Sequence, residues 1–140
     1  MTPYQFAVSF HVIVAILGLG QLTGMVVVGS AANSAGPVSP VIWTALRRLT
    51  RGTTWSLVLL FLSGALVEFL LGGSFHDRWW FRLSVLLWMV LGGLLGSTRR
   101  ALRAGETRGD AGVFGRVVRN AIAMCTVAAA ITILMEAKPW

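Results

Sequence analysis

The chain has 140 residues, of which 56% are hydrophobic, and a formal net charge of +7 drawn from only 12% charged residues. That length fits one domain, and a mean hydropathy of +0.75 excludes the balance of a soluble globular protein. A single cysteine, Cys125, excludes an intramolecular disulfide.

Residues 4–28 form an apolar run whose only strongly polar interior residues are His11 and Gln21. A helix needs about 20 apolar residues to cross the hydrocarbon core, and this run is long enough. No Lys or Arg precedes it, so it reads as a permanent helix and not as a signal peptide. Ala7, His11, Ala15 and Gly18 share one helical face, and Gly20 with Gly24 forms a G-x-x-x-G that admits a close neighbour. Residues 30–40, rich in Ala, Asn, Ser, Gly and Pro, read as an exit loop.

Residues 40–49 alternate as an amphipathic helix, with Val41, Ile42, Ala45, Leu46 and Leu49 on one side and Arg47 and Arg48 on the other. This predicts a short interfacial helix anchored at headgroup depth by Trp43. The second spanning helix then starts near Thr53, capped by Thr50, Thr53 or Thr54. On it Ser56, Leu60, Gly64 and Glu68 share a face. A connector containing His76, Asp77 and Arg78 leads to Trp79 and Trp80, where the third apolar run begins.

The third helix carries a second G-x-x-x-G, Gly92 and Gly96, and leaves the apolar region through Arg99, Arg100 and Arg103. Residues 104–112 read as a hydrophilic turn. The fourth helix carries Arg116 and Arg119 on its first turns and a small-residue face at Ala121, Cys125 and Ala129. It ends before Pro139, which cannot continue a hydrogen-bonded helix. The expected fold is therefore all-α: one transmembrane domain over residues 1–140, an up-down four-helix bundle with helices at about 4–29, 53–72, 79–103 and 113–137.

The arginines set the expected sidedness. Arg47, Arg48 and Arg51 follow the first helix, while Arg99, Arg100, Arg103, Arg108, Arg116 and Arg119 surround the link between the third and fourth. An up-down chain brings both groups to one side, which the positive-inside rule makes cytoplasmic. The basic charge thus needs no nucleic acid, and its expected partner is the anionic bilayer surface. Both termini and the connector between helices 2 and 3 then face outward, periplasmic in a Gram-negative inner membrane.

This orientation gathers His11, Glu68, His76 and Lys138 towards the outer face. An ionisable residue within a membrane helix is a functional candidate, because burying it unpaired costs several kcal/mol. Two uses are open: a polar pair of His11 with Glu68 tying two helices together, or a haem b or metal site in which His11 is joined by His76, Lys138 or Met135. A cation-coupled exporter using Glu68 is a third. Phosphate-cradling G-x-x-x-x-G-K-[ST], C-x-x-C, H-E-x-x-H and G-x-S-x-G patterns are missing, and no catalytic nucleophile stands out.

His11, the Arg47-Arg48-Leu49 stretch, the Trp79-Trp80-Phe81-Arg82-Leu83 start of helix 3 and the Met135-Glu136-Ala137-Lys138-Pro139 end carry a resemblance. The chain resembles the small four-helix bacterial inner-membrane proteins of the copper-resistance-D-like group, with the HemJ-type protoporphyrinogen oxidases as distant relatives. The resemblance implies functional weight on His11 and on Lys138 with Pro139. The HemJ-type enzymes pair the first-helix histidine with a lysine at the start of helix 3, where this chain has Arg82, and arginine does not replace lysine in acid-base or ligand roles. The expected function is that of a non-catalytic accessory or assembly subunit beside larger membrane proteins or further copies of itself. The alternative is a haem- or metal-binding redox protein using His11.

Overall fold

The structure is a computed structural model that describes residues 2–34, 39–73, 75 and 77–137. Four helices account for nearly all of them: α1 (Pro3–Ser34), α2 (Pro40–Leu70), α3 (Trp79–Arg108) and α4 (Val113–Ala137). Each is long and apolar enough to cross a membrane. The fold is an all-α four-helix bundle, as the apolar runs predicted.

Residue pairings fix the topology. On α1 and α2, His11 meets Ser63, Gly18 faces Ser56, and Gly24 faces Leu49, so numbers fall along one helix as they rise along the other. The same antiparallel register joins α2 to α3 through Phe61 with Trp88 and Arg47 with Glu106. It joins α3 to α4 through Thr98 with Asn120, and α1 to α4 through Gly29 with Val118. The chain therefore runs up, down, up, down, with α1 against α2 and α4, and α3 against α4 and more lightly against α2.

The buried stripe of α1, Ala7, Val14, Gly18, Leu22, Met25, Gly29 and Ala32, steps by seven residues and then by three and four, the seam of a left-handed bundle. On α2 the corresponding stripe is largely hydroxylic: Thr50, Thr53, Ser56 and Ser63 are buried. Most of these side chains donate to a carbonyl one turn back, Thr50 to Leu46 and Thr53 to Leu49 among them. That keeps small polar groups satisfied where no water can serve them.

The core lies towards the end that holds the α1–α2 and α3–α4 links. Met25, Leu46, Leu102, Phe114, Val117 and Met124 are fully buried there, whereas α4 buries none of its residues beyond Met124. Trp43 reaches across this end to stack on Phe114, ring centroids 4.7 Å apart.

Several expected boundaries move. The amphipathic segment is helical, but it is the first part of α2 and not a separate interfacial helix. Ser39 caps it, its hydroxyl accepting the Val41 N–H at 3.2 Å ahead of Pro40. Thr50, Thr53 and Thr54 are interior residues and not caps. Trp43 is only 8% exposed and fills the bundle instead of anchoring at the headgroups. α1 continues to Ser34. α3 continues to Arg108, where Gly109 adopts a left-handed conformation (φ 64°) and Asp110 N–H returns to the Gly105 carbonyl at 3.0 Å.

Candidate functional site

In the half of the bundle away from the α1–α2 and α3–α4 links, α1 and α2 meet across His11. Its Nδ1 lies 2.8 Å from the Ser63 Oγ, and Ser63 in turn donates to the Leu60 carbonyl at 3.1 Å. One hydroxyl hydrogen cannot serve both neighbours. With it committed to Leu60, the imidazole donates from Nδ1 and keeps Nε2 as a lone-pair acceptor; with it committed to Nδ1, the two ring nitrogens exchange these roles. Gly64, one residue on, leaves room for the ring, whose Cε1 would lie 3.5 Å from an added Cβ. His11 is partly exposed, Ser63 buried.

The expected His11–Glu68 pair is not the arrangement found. His11 takes Ser63, while Glu68 Oε1 accepts the N–H of Phe75 at 2.8 Å and so ties the α2–α3 connector back onto α2. The reason is angular: Glu68 sits more than a full turn beyond Ser63, close to the helix end, where the returning backbone offers a donor. Of the other candidate ligands, His76 and Lys138 lie outside the described residues, and Met135 is exposed near the end of α4. Among the described residues, no cluster of three His, Cys, Asp or Glu side chains could hold a metal ion.

Apart from Arg47–Glu106 and Arg99–Thr54, two further polar contacts cross between helices and were not foreseen as such. Ser56 donates to Gln21 Oε1 at 3.3 Å, and Gly52 makes space for the Gln21 amide, which would lie 2.8 Å from an added Cβ. Buried Asn120 donates to Thr98 at 3.1 Å. Both act as helix-to-helix ties. Cross-helix partners depend on rotation about each axis, which no single helix's pattern encodes.

The outward surface of α3 is different in kind. Gly92, Gly93 and Gly96 have no neighbouring atom within 4 Å of the place a Cβ would occupy. Glycine costs a helix about 1 kcal/mol relative to alanine, and inside this bundle nothing uses the closeness it permits. Met89, 62% exposed, continues the same face towards α3's beginning.

Four spanning helices joined by short links define a multi-pass integral membrane protein. No protein-family model, curated protein or solved structure matches the chain.

Proposed function

We propose that the protein is a non-catalytic accessory or assembly subunit of a larger membrane complex, docked through the outward face of α3. The observation that carries this reading is the glycine surface at Gly92, Gly93 and Gly96, which no part of the bundle approaches. Small residues on a membrane helix let a second backbone come close, and packing and weak polar contacts then hold the pair. A bilayer alone gives no reason for three such positions within five residues. The short links leave little mass outside the membrane for another task.

The membrane in this reading is a bacterial inner membrane. Arg47 and Glu106, 3.2 Å apart, bring the two arginine-rich regions to one end, and the positive-inside rule makes that end cytoplasmic, with both termini periplasmic. Purification in mild detergent tests the assignment: a second polypeptide should accompany the chain in constant ratio through successive columns. A chain that elutes alone from native membranes would refute it.

A second reading, a haem- or metal-binding redox protein, is favoured by one observation. The His11 Nδ1–Ser63–Leu60 arrangement is the kind of second hydrogen bond that orients a ligating imidazole. The resemblance to the copper-resistance-D-like group points to the same histidine. Among the described residues His11 is the only histidine. A Soret band in the purified protein, lost in His11→Ala, would establish haem; a colourless preparation from haem-replete cells would remove the reading.

A further inference from the structure

Between α3 and α4, at the arginine-rich end, lies a hollow of about 330 Å³ lined by Gly93, Ser97, Arg100, Ala101, Ala104 and Arg116. A smaller one of about 150 Å³ adjoins it and adds Arg108, Asp110 and Gly112 to the wall. Small residues on α3 create the space, and a guanidinium stands on each helix beside it.

The charges in this hollow are not used internally. Among the described residues, Arg100, Arg108 and Arg116 make no hydrogen bond or ion pair, in contrast to Arg47 with Glu106 and Arg99 with Thr54. Asp110 is the acidic group on the wall, and its Oδ1 accepts the Gly112 N–H at 2.9 Å. Three cations against one carboxylate leave an excess of positive charge. Ser97 points to the same conclusion. Ser84, Thr98 and Thr107, the other hydroxyl residues of α3, each donate to a carbonyl one turn back, whereas Ser97 donates to none. An uncommitted hydroxyl and two uncommitted guanidinia converge where an apolar helix reaches the membrane surface.

We infer that this hollow binds the phosphate group of an anionic phospholipid. Guanidinium groups match phosphate oxygens in a forked, charge-assisted geometry, and basic pockets between helices at a cytoplasmic face take acidic headgroups. The phosphate chemistry is shared by free inorganic phosphate. The lipid is favoured because the hollow continues to Gly93, within the apolar part of α3, where an acyl chain can lie on the helix backbone. The inference does not require a partner subunit, and it shares only Gly93 with the α3 face assigned to one.

Native mass spectrometry of the purified full-length chain tests it, with phosphatidylglycerol, phosphatidylcholine or inorganic phosphate added at equal concentration. Phosphatidylglycerol should be retained about tenfold more than phosphatidylcholine, and inorganic phosphate should give no stable adduct. That preference should vanish in Arg100→Gln/Arg116→Gln, survive in Arg48→Gln, and largely return in Arg100→Lys/Arg116→Lys. Ser97→Leu, which fills the hollow without changing charge, should also lose the lipid and decides the matter if the double glutamine variant does not fold. Equal retention of phosphatidylcholine, undiminished phosphatidylglycerol in these variants, or phosphate displacing the lipid would overturn the assignment.

Discussion

His11 on α1 and Ser63 on α2 are joined by a 2.8 Å hydrogen bond across 52 positions of sequence. It ties the two helices in the half of the bundle where α4 buries nothing. Interhelical hydrogen bonds in membrane proteins contribute about 0.6 kcal/mol on average and up to about 1.7. We expect His11→Ala and Ser63→Ala each to destabilise the fold by about 1 kcal/mol and the double variant by clearly less than their sum. A steric-trapping double-mutant cycle measures this; strict additivity would show that the pair does not interact.

Gly105 and Gly92 should respond oppositely to alanine. A Cβ on Gly105 would lie 2.7 Å from Val113 Cγ1 and 3.1 Å from the Trp43 ring, so Gly105→Ala should cost about 1–3 kcal/mol through overpacking. Gly92 has open space around it, and Gly92→Ala should leave the isolated chain unchanged or stabilise it by up to about 1 kcal/mol. Denaturation of the two variants in the same detergent compares them directly.

Arg47 and Glu106 pair at 3.2 Å, but their side chains are 52% and 32% exposed. Solvent competes for both partners, so Arg47→Gln should change stability by less than about 1 kcal/mol. A larger loss would mean that this end of the bundle is drier than its exposure indicates.

Sidedness is open to a chemical test. On the proposed orientation, Thr107→Cys in a Cys125→Ser background should react with a membrane-impermeant maleimide only after the membrane is breached. Labelling of intact spheroplasts from their outer surface would place the arginine-rich end outside and invert the orientation.

The four spans and the gathering of arginines at one end were legible because apolar run length and charge position are local properties. The continuation of α1 to Ser34 was not. Ser30, Ala31, Ala32 and Asn33 look like a loop by composition, yet Ala32 is buried against the core and Ser34 bonds back to the Ser30 carbonyl. Packing overrides weak propensity there. Residues 40–49 likewise show the two-sided pattern of a surface helix, but nothing breaks the helix between Leu49 and Thr53, so Trp43 is carried inward onto Phe114. His11 was recognisable as the ionisable residue within the apolar run of α1. Its partner was not, because Ser63, Gly64 and Glu68 lie within a turn and a half of one another and the rotation of α2 decides among them. The hollow beside Arg100 and Arg116 depends on how far α3 and α4 stand apart, which no pattern along either helix records.

The glycine face of α3 is where the proposed role is most exposed to refutation. Native mass spectrometry of the complex extracted gently from its own membrane, with wild type beside Gly92→Leu/Gly96→Leu, is the most direct measurement. We expect the wild-type chain with a different polypeptide at fixed stoichiometry, and the variant folded but released from it. Wild-type chain found alone or only with copies of itself, indistinguishable from the variant, would contradict the accessory role.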